Sequence, residues 1–411
     1  MRPAPTMEIP SFITMLGYRV GTFEHQFMHV SGLLFFALIA MFWIAHGLRV
    51  AIGALQLPWL KNSSPAADAD CPRVSLLVAA RDEEEKLPRA LESLRHIDYP
   101  GLEIIAVNDR SSDGTAQILH DGAKHDSRLK VVNIETLPEG WLGKPHALRR
   151  AYEASGGEWL LFTDADVRFR PDAIRRAITL ANAKQLDHLT LMSDVEMHGF
   201  WERSVLTFFG LGFHLATNPR AVSDPRSRAY IGIGAFQLVK RSAYEASGTH
   251  RRLALEVVDD MKLGKIVKQM GFHSGVGIAQ NFVTIRWHAG IKNIVRGVTK
   301  NFFAGSEFKI SVVALQLTAL FCVSILPFLA LPFVHGWTLA LVLLSIMIAM
   351  GFHSGTAWVM RASPLYALTH PIGAAIFSYM LLRSTVVTLL QGGIIWRGTF
   401  YPLDELRRGI V

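Results

Sequence analysis

The sequence predicts an α/β domain, built on a mostly parallel sheet with helices on both faces, tied to α-helical segments that cross a membrane. Three observations carry this expectation. Between Arg73 and about Gly277, short and wholly apolar runs alternate with stretches of helical periodicity, the pattern of strands buried on both faces by crossover helices. Residues 31–55 and several runs after residue 310 are each apolar enough to cross a bilayer core, which takes about 20 residues. Half of the 411 residues are hydrophobic and only 18% are charged, against roughly 25% in an ordinary soluble chain.

In chain order, residues 1–30 form an N-terminal segment without a cleavable signal pattern, because the apolar run that begins near Ser31 is long enough to span. Residues 31–55 are read as a transmembrane anchor, and KNSSPAADADCP as a flexible joint. The soluble domain takes residues 73–285. VSLLVAA (74–80) is its first strand, and Leu87, Ala90, Leu91 and Leu94 mark the buried face of the next helix. EIIAVND (103–109) and EWLLFTD (158–164) are further strands, followed by helices from Thr115 and after Pro171. Phe200 to Leu215 and His288 to Lys309 mix aromatic, apolar and charged residues. Both are expected at an interface, and 286–310 is assigned as an amphipathic segment lying on anionic lipid, with a plain surface helix as the alternative. Residues 311–396 form a C-terminal membrane region, and 397–411 a tail. Within that region 311–334 and 337–360 read as spans. The run 366–396, with Pro371, Arg383 and Gln391, reads as a span, a re-entrant hairpin, or a span plus an interfacial piece. Three spans after a cytoplasmic domain would put Arg397, Arg407 and Arg408 outside, against the inward preference of basic residues.

Lys and Arg number 42 against 34 Asp and Glu, a net charge of +8. Beside so much apolar sequence, the excess points to anionic lipid or a phosphorylated ligand rather than nucleic acid. Cys71 and Cys322 are the only cysteines, so neither a disulfide framework nor a cysteine zinc site is expected. His46, His353 and His370, in or beside apolar runs, read as packed side chains.

Ligands of a parallel sheet sit beyond the carboxyl ends of its strands. Three such ends are acidic here: Arg81-Asp82-Glu83-Glu84, Asn108-Asp109 and Asp164-Ala165-Asp166. Asp164 and Asp166, one residue apart, can hold Mg²⁺ or Mn²⁺ and present it to a diphosphate, although acids at strand ends also cap helices. Asp82 and Glu84 are read as nucleotide contacts, while the spacing of Asp82 and Glu85 also suits a capping box. Asp109 stands where a carboxylate can bond a ribose or base, and Asp113-Gly114 beyond it can equally make a simple turn.

Taken together, VSLLVAARDEEEKLPRALESL, EIIAVNDRSSDGT, GWLGKPHAL, GEWLLFTDADV and VVDDMKLG, in that order over most of 73–265, resemble the family 2 glycosyltransferases and their nucleotide-sugar-binding (GT-A-like) fold. The resemblance implies that Asp109 contacts the uridine of a UDP-sugar donor, that Asp164 and Asp166 flank metal and diphosphate, and that Lys144 lies near the nucleotide. It makes Asp260, the second acid of VVDDMKLG, the catalytic base. Asp259 stands where the family usually has Glu. A base is needed because the acceptor oxygen must shed its proton as the new bond forms. Arg286-Trp287 resembles the end of the Q/RxxRW motif, with Val283 at the first position, and Arg286 is read as a partner of the donor diphosphate. An interfacial Arg-Trp pair is the alternative.

The incomplete motif argues against a polymer-making enzyme. One span before the domain and several after it, with GVTKNFF and IIWRGTFYPL, look like the subgroup acting on lipids such as ceramides, hopanoids and carotenoids. The expectation is an inverting transfer of one hexose or N-acetylhexosamine from a UDP-sugar to a membrane lipid, by a protein of the bacterial inner membrane with its domain in the cytoplasm. A processive polysaccharide synthase and a non-catalytic nucleotide-sugar-binding membrane protein are the alternatives.

Overall fold

The structure of the protein, a computed structural model, describes residues 12–411, so residues 1–11 of the expected N-terminal segment lie outside the described residues. Helix α1 (Phe12–Gln56) is continuous and contains the apolar stretch Val30–Gly53, so the expected anchor is part of a longer helix. The domain opens with β1 (Val74–Ala80), α2 (Leu87–Arg95), β2 (Leu102–Asp109), α3 (Thr115–His125), β3 (Leu129–Ile134), α4 (Gly143–Glu153) and β4 (Trp159–Asp164). It continues with β5 (Val167–Phe169), α5 (Ala173–Ala183), β6 (His188–Met192), β7 (Asp194–Val195), α6 (Gly199–Thr217), β8 (Gln237–Lys240), α7 (Arg241–Ala246), α8 (Asp259–Gln269), β9 (Ser274–Ile278) and β10 (Val283–Ile285). The C-terminal part holds α9 (Ile291–Val298), α10 (Asn301–Gly305), α11 (Ile310–Leu320), α12 (Leu326–Ala330), α13 (Gly336–Val359), α14 (His370–Gln391), β11 (Gly393–Trp396), β12 (Thr399–Pro402) and α15 (Leu403–Arg408).

The main sheet has the order β3-β2-β1-β4-β8-β6-β9. Its pairs are parallel apart from those of β8, which runs antiparallel to β4 and β6. Successive residues of a strand face opposite sides, and VSLLVAA therefore feeds two cores. Val74, Leu76, Val78 and Ala80 pack with Leu87, Leu91 and Leu94 of α2. Leu77 points the other way, among Ile105, Ala147, Leu148, Phe162 and Tyr244. That is why these strands read as unbroken apolar runs. The strand order reverses at β1, with β2 on one side and β4 on the other, so a crevice opens beyond Ala80 and Asp164.

Four helical stretches are long and apolar enough to cross a membrane: Val30–Gly53, Ile310–Phe333, Gly336–Val359 and Pro364–Gln391. The last one enters and leaves on the domain's side. At its start Arg361 meets Asp194 and Asn281; at its end β11 and β12 return to the domain, where Arg397 binds Glu83. Its inner turn lies beside α13, with the rings of His353 and His370 5.4 Å apart. Both ends of this run therefore contact the domain, and Arg397 beyond its end lies beside it.

The two stretches read as interfacial are covered by protein more than expected. Phe36, Ile39 and Trp43 of α1 pack with Leu211 of α6 and Val342 of α13, while Phe200 and Trp201 stay exposed. In α9 the apolar stripe of Ile294 and Val298 packs on Val205, Leu206 and Met380. That stripe therefore faces helices, and the polar face with Lys292 and Arg296 is exposed.

Candidate active site

A cleft of about 860 Å³ opens at the carboxyl ends of β1, β2 and β4. The start of α8 and the α9–α10 segment wall it, together with α14 and the β11–β12 hairpin. Asp82, Asp109, Lys144, Asp164, Asp166, Asp260 and Trp287 all line it. Glu84 and Arg286 do not.

Asp164 ends β4 and Asp166 follows in the turn to β5. Each carboxylate receives a lysine: Lys144 Nζ lies 2.7 Å from Asp164 Oδ1, and Lys86 Nζ lies 2.7 Å from Asp166 Oδ2. Burial, and then the charge of Asp164, push the Asp166 carboxyl above the usual carboxylate range. Crowded carboxylate oxygens of this kind suit a hard divalent cation such as Mg²⁺ or Mn²⁺. Among the described residues no group of three His, Cys, Asp or Glu side chains gathers there, so the remaining ligands would be substrate oxygens and water. Lys144 is buried, which works against its charge, but Asp164, Asp259 and Asp260 hold its ammonium well above the usual lysine range.

Asp260 occupies the first turn of α8, where two amides hold it. Gly234 N donates to Oδ2 at 2.9 Å and Met261 N to Oδ1 at 2.8 Å. A Cβ on Gly234 would stand 2.7 Å from Asp164 Oδ2 and 3.2 Å from Asp260 Oδ2; only glycine lets the loop pass between them. Burial, with Asp259 and Asp164 adding to it, pushes the Asp260 carboxyl up to about 6 against the pull of Lys144. Asp259 moves the other way. Burial opposes its charge, but Lys144 at 3.9 Å and His250 at 3.8 Å keep it ionised and below its ordinary range. Neighbouring acids pushed in opposite directions can take different roles.

The other predicted residues fall into place by their partners. Asp109 is buried and accepts Arg110 Nε at 2.7 Å and Nη2 at 3.0 Å. The start of α4 presses onto it, since a Cβ at Gly143 would lie 2.5 Å from its Oδ2. Asp82, at a φ of 50°, makes no capping box. Its Oδ1 accepts Ser112 N at 2.8 Å, while α2 starts at Leu87, after Lys86, without a side-chain cap. Glu84 Oε2 accepts Gly114 N at 2.6 Å and Glu84 N donates to Asp113 Oδ2 at 3.1 Å. Glu84 thus zips two loops together outside the cleft.

Arg286 turns away from the cleft. Its guanidinium forks onto Glu202 at 2.6 and 2.9 Å and donates to Glu196 O at 2.7 Å. Glu202 also accepts His198 N and Gly290 N, each at 2.6 Å. Arg286 first, then these two amides, pull its carboxyl down to about 2 despite burial. Trp287 faces the cleft and packs against Phe209 with ring centroids 5.0 Å apart.

Three cleft residues, Lys300, Trp396 and Arg397, were not assigned to the site from the sequence. Lys300 Nζ lies 3.9 Å over the ring of Trp396; burial and Lys144 pull its ammonium down to about 8. Arg397 latches the hairpin to Glu83 and to Asp82 O. The available signal was Arg397-Gly398 between IIW and TFY: both residues have positive φ, as a two-residue hairpin turn requires.

Residues 75–248 match the sequence model of glycosyl transferase family 2. The chain is 27% identical over 238 residues to the 4,4'-diaponeurosporenoate glycosyltransferase of Staphylococcus haemolyticus, across 57% of this chain and 62% of that enzyme. It is 29% identical over 206 residues to a beta-monoglucosyldiacylglycerol synthase of Synechocystis, across 48% of this chain and 40% of the synthase. The match therefore spans less than two thirds of either relative. Among solved structures, a mannosyltransferase of Pyrobaculum calidifontis in complex with GDP-Man and Mn²⁺ has the same fold, with a TM-score of 0.50 and 17% identity over 87% of this chain and 99% of that one.

Proposed function

Because residues 75–248 constitute a family 2 glycosyltransferase domain, we propose that the protein transfers a single hexose or N-acetylhexosamine from a UDP-sugar to a hydroxyl of a membrane lipid, with inversion. The observation that carries this reading is the pairing of Asp260 and Asp164 around Gly234, in a cleft that also takes Arg383, Val387 and Gln391 of α14 as a wall. A proton acceptor and the leaving-group end of the site thus share one cavity with an apolar helix. An acceptor hydroxyl delivered from the bilayer would meet Asp260, which takes its proton as the oxygen attacks the anomeric carbon and the bond to the UDP diphosphate breaks; with Asp164 and Asp166 given to metal and diphosphate and Asp259 held by Lys144 and His250, the proposed step is a single displacement. Lys144 and Lys300 would hold the diphosphate as charge builds on it, and Asp109 would bond the uridine. Mg²⁺ or Mn²⁺ on Asp164 and Asp166 would add charge neutralisation at the diphosphate. Their chemistry supports that assignment; the likeness to the Pyrobaculum enzyme bears on fold alone. The two relatives, a diaponeurosporenoate glycosyltransferase and a monoglucosyldiacylglycerol synthase, favour a lipid acceptor. The four apolar stretches favour insertion in a membrane; the proposed setting is a bacterial inner membrane with the domain in the cytoplasm.

The test is incubation of the purified protein in lipid vesicles with labelled UDP-hexoses and UDP-N-acetylhexosamines, followed by lipid extraction and mass spectrometry. One sugar on one lipid is expected, and chelator should abolish it. A ladder of long polymer would favour the processive alternative, and the absence of UDP release with every donor would favour the non-catalytic one.

A further inference from the structure

A second pocket, of about 540 Å³, shares no lining residue with the donor cleft. It lies where the domain meets the end of α13. Its walls include Arg168 of β5, Arg170 just after it, Arg203 of α6, and Arg361 just past α13. Asp194 and Glu196 are the only carboxylates among its lining residues, so four guanidiniums face two acids. Internal pairing leaves a surplus. Arg168 binds Glu196, Arg361 reaches Asp194 at 3.7 Å, and Arg170 lies on the Phe282 ring at 4.9 Å while reaching Asp172, itself shared with Arg176. Arg203 has no carboxylate partner among the described residues.

Next to the lining residues Asn281 and Met360, Gln280 Nε2 donates to Val359 O at 3.0 Å, tying the domain to the last turn of α13. Close in sequence to its lining residues His198, Arg203, Met360 and Arg361, the large apolar side chains Trp358, Leu365, Phe200 and Trp201 are 68%, 72%, 51% and 49% exposed. A surface facing water rarely carries so many large apolar groups together. Aromatic side chains beside arginines at the end of an apolar helix are the arrangement of a bilayer's polar boundary. The Arg286–Glu202 pair, with Glu196 O as a further acceptor, stands between this pocket and the donor cleft.

We propose that this pocket binds the phosphate-bearing headgroup of an anionic membrane lipid, held by Arg203 and Arg361 while its acyl chains lie along the exposed apolar side chains. Guanidinium forks match phosphate oxygens in shape as well as charge. The proposal rests on the apolar helices sitting in a bilayer and does not depend on which donor or acceptor the cleft takes.

The test uses the full chain in nanodiscs of phosphatidylcholine with graded phosphatidylglycerol, reading the lipid retained per protein by native mass spectrometry. Phosphatidylglycerol should be retained in preference to phosphatidylcholine. Arg203→Gln and Arg361→Gln should each weaken that retention about fivefold, the worth of one basic residue near an anionic surface, whereas Arg203→Lys should keep most of it. Nucleotide-sugar binding in the same samples reports on the donor cleft separately and should not change. Equal retention of both lipids by the unaltered protein would overturn the proposal without recourse to variants. Unchanged preference in the double Gln variant would overturn it too, and loss of retention on adding millimolar glycerol phosphate would assign the pocket to a soluble phosphate ester instead.

Discussion

Asp259 and Asp260 are adjacent in sequence and alike in chemistry, yet their surroundings divide them. Asp259 is 3% exposed and flanked by Lys144 and His250, which makes it a fixed anion that orients its neighbours. Asp260 has only amide donors on its carboxylate and is the acid that can accept a proton near neutral pH. Asp260→Asn keeps the shape and removes that capacity, so turnover should fall by about 10² to 10⁴ with donor affinity retained. Asp259→Asn should cost less turnover but more donor affinity, because Lys144 loses a partner. Isothermal titration and single-turnover rates on both variants check this, and equal losses would leave the base unassigned. Glu202 offers a test through stability. Its folded carboxyl sits near 2, below its unfolded value of about 4.3, so its contribution is fully present above that unfolded value and is lost as pH falls toward 2. Thermal melts of the parent and Glu202→Gln should therefore differ by up to about 3 kcal/mol at pH 6 and converge as the pH falls from about 4 toward 2. Asp164 and Asp166 were legible from their spacing at a strand end, and Asp260 from the resemblance carried by VVDDMKLG. The partner of Arg286 was not, since Glu202 lies 84 positions away and no local pattern reports such a pairing.

At the scale of elements, the position of α8 decides where Asp260 stands. Gly264, one turn further along, lets the helix lie against the 231–232 backbone; a Cβ there would press into the carbonyl oxygen of Ile231 and come within 3.0 Å of Gly232 N. Since backbone cannot swing aside, Gly264→Ala should displace the helix, costing about 1 to 3 kcal/mol of stability. It should also lower turnover by at least about tenfold, because small misplacements of reacting groups are expensive. Melting temperature and turnover measured together check it; lost stability with normal turnover would show that Asp260 is positioned independently of the helix. The hairpin invites a second measurement. Trp396→Leu removes the ring beneath Lys300 and leaves the Arg397 latch to Glu83 intact. If Lys300 holds the diphosphate, its loss of orientation should raise the KM for donor several-fold while leaving kcat close to its original value. The strands of the main sheet were readable because each is an unbroken apolar run between helices. The hairpin was not, because its strands of four residues each are too short for alternation to stand out at the end of a hydrophobic stretch. The stripe on α9 was correctly amphipathic, but periodicity states only that one face is apolar; α6 and α14, rather than lipid, cover it.

At the scale of the whole molecule, the domain and the apolar helices meet along one cleft, and the path of the last apolar run sets how they fit. Length and composition make Pro364–Gln391 look like a span, which is why hydropathy alone left its topology open. Contacts at both ends favour the re-entrant path: Arg361 on Asp194 at one end, and the β11–β12 hairpin on the Glu83 loop at the other. We propose that this segment starts and finishes on the domain's side of the bilayer. In that arrangement Ile310–Phe333 leaves the domain's side, Gly336–Val359 returns to it, and the turn at Val334 and His335 is the far point. The basic residues Arg397, Arg407 and Arg408 then share a side with the domain, as the distribution of positive charge requires. The expectation can be checked with single cysteines placed in a chain whose Cys71 and Cys322 are replaced by serine. In sealed vesicles of known orientation, Ala67→Cys beside the domain and Asp404→Cys in α15 should react with a membrane-impermeant maleimide from the same face. His335→Cys should react only from the opposite face. Labelling of Asp404→Cys and His335→Cys from one common face, with Ala67→Cys from the other, would mean that the last run crosses the bilayer and that the hairpin cannot close the donor cleft.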